Sequence, residues 1–562
     1  MVVVTSRRMR YVLIPLAVVL LTVSGFGASR QLRQGTGSSS ALRPSTSDTA
    51  IDVVPPPVTP CDGVAIQPGD DLQQAVDAHP EGTAFCLEAG VHRLAHAVPK
   101  NGQRFIGEGE GTVLSGARVL PATDARRDDS GHYYWDGQTQ DSGPHGKLIE
   151  RGHAEAPNEG DAYSEELFVT APGDPQDPPE RYQRVISLSA LDSGKWYFDY
   201  DADRIYMTDN PAELGLIETS VVSTAIPASL EAETRDVTIE NLVVEKYASA
   251  AQEASIGGEH AVDWSIRYVS ARYSHGVGVE LGPGTLMEHC KIHHMGQKGL
   301  MGGGHAIDRP TVLRNTEVSY NKTLSFDPGW DAGGTKFTRA YGHGMIVENS
   351  WFHHNFGTGL WFDIDNYNVT IRSNRFEAND RWGVFYEISR QAKIYWNEAL
   401  DTTNGPEGFP FKGAGISISN SSDVEVFENL VHSNHNGILV KENADIVREL
   451  EYTYREEVPH IERVHIHNNV VGMQRGVTGM RVENGDARGY WKPSHIQFVG
   501  NIYWLEDTAR FLGMGNDAYT FDEWQNLGND STGRVLSASP HGSLRNGAKT
   551  FGMTEYGARE TV

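Results

Sequence analysis

Cysteine is nearly absent, with 3 in 562 residues, which excludes a small domain held together by a disulfide framework. Charge is thin at 22% of residues, which excludes a coiled coil or a disordered, charge-rich chain. Basic residues are the scarcer sign, 48 Lys and Arg against 74 Asp and Glu, for a net charge of −26. The one sharply basic stretch is Arg7, Arg8 and Arg10. A basic face for phosphate is therefore missing, and nucleic acid is not an expected partner. Long apolar runs are also missing, apart from the 13 residues from Tyr11 to Val23. Following those arginines and preceding the small residues up to Ala28, this run reads as a secretory signal over residues 1–28, with an uncleaved N-terminal anchor as the alternative. The expectation is export, to the extracellular space or the cell surface. Residues 29–60, rich in Ser, Thr, Gly and Pro, read as a flexible linker.

What the chain has in quantity is glycine, 60 residues, and a repeat. From about residue 236 an apolar/polar alternation recurs, followed by Asn and then by a Gly that opens a second short apolar strand. The Asn returns fall at Asn241, Asn315, Asn349, Asn374, Asn397, Asn429, Asn469 and Asn501, and the tightest steps are 25 and 23 residues. A coil of about two dozen residues cannot bury its own apolar side chains, but stacked coils can, and their backbones pair with the rungs above and below. Asn suits the recurring corner because it tolerates left-handed backbone and can hydrogen-bond along the stack. Over about residues 236–515 this pattern resembles the right-handed parallel β-helix proteins of the pectate-lyase-like superfold. The resemblance implies an all-β solenoid, with repeats over 226–515 and a C-terminal cap or tail over 516–562.

Residues 61–120 read as an N-terminal cap and first coils. Asp70 and Asp71 can cap a short helix with Leu72, Ala75, Val76 and His79 on one face, stopped by Pro80. Residues 121–225 break the repeat, and Glu166–Val169, Arg184–Ile186, Lys195–Asp199 and Arg204–Met207 predict antiparallel strands of an inserted β-rich subdomain. In an oxidising compartment Cys61 and Cys86 can pair, whereas Cys290 sits in a repeat strand as a buried thiol.

Chemistry belongs on the outward faces of the coils. Alternation puts Leu360, Phe362 and Ile364 inward and Trp361, Asp363 and Asp365 outward. Gly383–Ser389 superimposes 24 residues later, with Val384, Tyr386 and Ile388 inward and Phe385, Glu387 and Ser389 outward. Asp363 and Glu387 then stand on neighbouring rungs, about 4.8 Å apart at the backbone. Two carboxyl groups that close cannot both ionise freely, so one is expected to hold its proton while the other stays an anion. Ser419 and Lys441 continue the column on one side, and aligning Phe337 with Phe362 brings Thr338 beside Asp363 and Lys336 beside Trp361. Like charges meet only in the middle, an arrangement that costs stability.

Trp361-Phe362-Asp363 and Phe385-Tyr386-Glu387-Ile388 resemble the strand pair of the β-helix β-xylosidases, retaining glycoside hydrolases with Trp-x-Asp and Phe-x-Glu-Val motifs. The resemblance implies Asp363 as nucleophile and Glu387 as acid/base, with no cofactor. Trp361 either offers a stacking face for a pyranose or packs on Phe385. Lys336 and Asp365 can hydrogen-bond sugar hydroxyls, although Asp365 can equally start a turn with Asn366. His353-His354 has a counterpart in His293-His294 and reads as a repeat preference, while Gly342-His343-Gly344 reads as a turn that happens to contain His. Asp327 and Asp331 are candidate Ca²⁺ ligands only under a lyase reading. Three functions follow: a retaining glycoside hydrolase, a uronate-specific polysaccharide lyase or epimerase with Lys336 or His343 as base, and a non-catalytic glycan-binding or envelope surface protein. All three take a carbohydrate or envelope partner, and a membrane enters only through an uncleaved N-terminal segment.

Overall fold

The computed structural model describes residues 60–140, 159–173, 178–306, 308–403, 413–443, 460–473, 476–483, 495–505, 509–512 and 518–536. The signal or anchor, nearly all of the linker and most of the acidic excursion at 440–460 lie outside these residues. Parallel strands stack along three faces. The first runs from Val64–Ile66 through Ala84–Leu87 and Arg104–Ile106 to Ile496–Val499. The second runs from Gly90–Arg93 and Thr112–Ser115 to Arg534–Leu536. Thr238–Glu245 and Ser265–Arg272 are long enough to serve both. The third is a sheet of 12 strands starting at Ile226–Pro227. Together they make a right-handed parallel β-helix.

One side chain per rung fills the interior in register. Phe337, Phe362 and Tyr386 are fully buried and stack at 5.3 and 5.9 Å between ring centroids. Burying each such ring stabilises by about 2 kcal/mol. The glycines that open the third-face strands have a steric cause, because a Cβ on Gly383 would lie 2.5 Å from the Gly415 carbonyl oxygen of the next rung.

The recurring Asn divides into two adjacent positions. Asn241, Asn315 and Asn349 adopt left-handed backbone, with φ of 58°, 49° and 50°. In later coils that corner is taken by Ser373, Trp396, Glu428 and Asn468, also left-handed. The next residue then carries the ladder: Asn374, Asn397, Asn429, Asn469 and Asn501 each donate a side-chain N–H to the following member, ending on Asp530. The corrected corner spacing is therefore 24 residues from Asn349 to Ser373 and 23 from Ser373 to Trp396.

At the N-terminal end, helix Leu72–Ala78 is capped by Asp71, whose carboxylate accepts from the Gln74 N–H, and it buries Leu72 and Val76 over the first coils. Cys61 and Cys86 form a disulfide, and Cys290 is a buried free thiol. At the other end, Thr520 and Glu523 make a capping box for helix Phe521–Asn526, whose buried Trp524 donates to Asp530.

Residues Ala117–Ser220 contribute an eight-stranded sheet with its own core of Trp135, Leu167, Trp196, Phe198 and Ile205. Its pairings are antiparallel with one exception. Glu180–Val185 runs parallel to Lys195–Asp199, because the chain between them turns through the 3₁₀ segment Leu188–Ala190 and re-enters in the same direction.

Candidate active site

Strand Leu360–Phe362 pairs with Val384–Glu387 through Leu360–Val384, Trp361–Phe385 and Phe362–Tyr386. Phe362 and Tyr386 point into the core, so Asp363 and Glu387, the next residue on each rung, emerge together on the outer wall. Phe337 pairs with Phe362, Lys336 stands opposite Met301, and Glu387 opposite Ser419 and then Lys441.

Asp363 is 5% exposed. Lys336 Nζ lies 2.9 Å from its Oδ2 and 4.0 Å from the centroid of the Trp361 ring. Lys336 also donates to the Trp330 carbonyl. The Asp363 Oδ1 is buried without a hydrogen-bond partner. Burial first, and the Asp363 carboxylate second, push Glu387 up to about 7 against the pull of Lys441 and Lys336. The two carboxyl groups are thus electrostatically unlike: one is held by an ammonium, and the other favours its proton near neutral pH. The Trp361 indole N–H makes no well-formed hydrogen bond but leans toward Glu387 and favours its anion.

Three expectations are corrected here. The alternation stops at Asp363, because Ile364 and Asp365 both take left-handed backbone, with φ of 59° and 58°. Ile364 is half-buried outside the core cluster, and Asp365 is 3% exposed at the corner, its N–H donated to the Ile388 carbonyl. Asp365 therefore does not share the outward face of Asp363. Ile388 also turns left-handed and leaves the core row. Trp361 is not an open platform: it is 3% exposed in an outer cluster with Trp382, Phe385 and Leu439, its ring 5.6 Å from that of Phe385. Packing decides this, since the outward aromatics of adjacent rungs cover one another. Finally, Lys336 is bound to Asp363 and to the Trp330 carbonyl, so its first role is to hold the carboxylate rather than a sugar hydroxyl.

The other candidates fall away from this centre. His343 lies in an exposed turn flanked by Gly342 and Gly344, both left-handed. His353 and His354 repeat the arrangement of His293 and His294, stacking around Tyr320 and meeting Glu317. The Asp331 carboxylate is engaged by buried Lys298 and by Gln252 Nε2 at 2.6 Å, while Asp327 Oδ1 accepts from the Gly329 N–H. Among the described residues no three His, Cys, Asp or Glu side chains gather as a metal site.

The residues the sequence reading missed are those of this loop. Ser325 gives both its N–H and its hydroxyl to Asp161 Oδ2 of the inserted sheet's segment, at 2.9 and 2.7 Å. Buried His275 meets Glu166 beside Phe326. The insertion thereby fixes the loop that carries Trp330 and Asp331 to the edge of the site. No motif marks these contacts, since they join residues some 164 positions apart.

A family model described as right handed beta helix region matches residues 254–450. Comparison with curated protein sequences finds no match. Among solved structures, the complex of XylC with xylose is 13% identical, with 84% of this chain and 83% of that chain covered and a TM-score of 0.58. The mannuronan C-5 epimerase AlgE6 A-module of Azotobacter vinelandii is 10% identical over 85% of this chain and 97% of that one, with a TM-score of 0.47. A mannuronic acid specific polysaccharide family 6 lyase from human gut microbiota is 11% identical over 87% and 93%, with a TM-score of 0.45. At such identities the likeness is one of fold.

Proposed function

We propose that this right-handed parallel β-helix protein acts on polysaccharides or oligosaccharides as an exported retaining glycoside hydrolase, with Asp363 as nucleophile and Glu387 as acid/base. The observation that carries the reading is the carboxyl pair on successive rungs, unlike in electrostatic state. Retaining enzymes hold their carboxyl groups about 5 to 5.5 Å apart, close to the spacing of adjacent parallel strands. Asp363 Oδ1 has no hydrogen-bond partner and is available to attack the anomeric carbon, while Oδ2 stays on Lys336. As the carbon–oxygen bond breaks, Glu387 gives its proton to the leaving oxygen. The resulting carboxylate takes a proton from water, whose oxygen attacks the anomeric carbon and frees Asp363. The value of about 7 for Glu387 suits both halves of that cycle at neutral pH.

The xylose bound to XylC supports a pyranose as ligand of this fold. A lyase or epimerase reading needs a free base, whereas Lys336 could serve as one only by giving up both Asp363 and the Trp330 carbonyl. The test is a panel of aryl glycosides with residues 61–562. We expect hydrolysis that Asp363→Ala abolishes, and that Glu387→Ala loses for poor leaving groups but regains with azide and an activated aryl leaving group. Turnover that both variants retain, or cleavage by β-elimination, would refute the assignment.

A further inference from the structure

We propose that Trp330 is the sugar-stacking platform of this site, taking the apolar face of a pyranose beside the reacting pair; the proposal rests on the hydrolase reading and deepens it. The aromatics on the site's own strands cannot serve. Trp361, Trp382 and Phe385 are 3%, 7% and 3% exposed, and Trp382 and Phe385 stack on each other at 4.1 Å. Trp330 differs in being 40% exposed and outside every hydrophobic cluster.

Its backbone nevertheless belongs to the centre. The Trp330 carbonyl accepts from Lys336 Nζ, the same nitrogen that lies 2.9 Å from Asp363 Oδ2. One ammonium therefore separates this residue's backbone from the proposed nucleophile. The loop around it is fixed on every side. Ser325 is held by Asp161, Phe326 is 1% exposed, and the Asp331 N–H bonds to the Asp327 carbonyl. Asp331 is ion-paired with Lys298, which is 3% exposed. On the other side, a Cβ on Gly329 would fall 2.9 Å from Arg381 Nη1, so the loop also abuts the residue before Trp382. An indole left open to water on so constrained a loop is pre-ordered, and ligand sites use such rigid aromatic faces because little side-chain entropy is lost on binding. Phe356, 45% exposed, stands at the same corner one rung on, where Gly333 bridges Thr358. It extends the aromatic rim toward a second sugar unit.

Because the contact to Lys336 is made by the backbone carbonyl, replacing the side chain tests the platform without cutting the link to Asp363. The aryl pyranoside turned over fastest in the panel is the kinetic probe. Trp330→Ala is expected to raise KM about tenfold while kcat falls no more than about threefold, and Trp330→Phe is expected to recover most of the loss. An unchanged KM in Trp330→Ala overturns the platform and leaves the hydrolase reading standing, as does a kcat loss that Trp330→Phe fails to repair. If no glycoside is turned over, tryptophan fluorescence of the Asp363→Asn protein is titrated with xylotriose. Quenching that disappears in the added Trp330→Phe variant supports the platform even though the catalytic reading fails. Quenching that persists there, or none in either protein, overturns it.

Discussion

Replacing Glu387 by Gln should stabilise this protein, and by an amount that depends on pH in a calculable way. The carboxyl group is carried from an ordinary value of 4.5 to about 7 by burial and by Asp363. Between those values the folded protein keeps a proton that the unfolded chain has released. Stability from this group is therefore complete below about pH 4.5 and declines as pH rises, until Glu387 ionises in the folded state near pH 7. At about 1.4 kcal/mol per pH unit, that interval corresponds to roughly 3 kcal/mol. Gln imitates the protonated carboxyl and never pays this cost, so the stability difference between variant and parent should grow from near its low-pH value at pH 4 to about 3 kcal/mol more by pH 8, then level off. Urea unfolding of both proteins across that range reads it directly. Asp363→Asn is the informative contrast. It relieves Glu387 but strands the Lys336 ammonium, 10% exposed, and should destabilise at every pH. A Glu387→Gln difference that stays flat from pH 4 to 8 would refute the reasoning, because it would mean that Glu387 is neither desolvated nor near another carboxylate.

The same titration predicts the rate profile: activity toward glycosides with poor leaving groups should fall above about pH 7, as the Glu387 proton is lost. Lys441 pulls Glu387 downward, so Lys441→Met should move that basic limb up by roughly half a pH unit, measured from kcat/KM against pH. Asn397→Ala breaks a ladder position that accepts from Asn374 and donates to Asn429 and to the Ile371 carbonyl. It should destabilise by about 2 to 4 kcal/mol in urea melts, since it leaves buried donors and acceptors unmatched. Removing the Cys61–Cys86 bridge, which closes 25 residues, should lower stability by about 3 kcal/mol on the loop-entropy model. Reduction should therefore lower the melting temperature of the parent and leave that of a Cys61→Ser/Cys86→Ser double variant unchanged.

How far the sequence reveals this site depends on which interactions are periodic. The pairing of Asp363 with Glu387 is legible because strand register over a 24-residue coil is a matter of counting, and because Phe362 and Tyr386 must both enter the core. Alternation fails two residues later, where Asp365 is turned by left-handed backbone at the corner, since a solenoid must bend and the bend obeys corner geometry rather than strand period. The ladder is legible in composition but not in register, because left-handed Asn349 and ladder-forming Asn374 look identical in a one-letter sequence while occupying adjacent positions of the coil. Least legible is what surrounds the carboxyl groups. Trp361 fits a platform by its motif, yet the outward aromatics of neighbouring rungs, Trp382 and Phe385, bury it. Trp330 carries no motif at all and is set in place by Asp161, Lys298 and Lys336, contributed by an insertion and two coils. Local periodicity can thus specify where reacting groups stand on a solenoid wall. The parts that meet the sugar depend on contacts between segments far apart in the chain, and for that reason the reaction type is easier to infer here than the substrate.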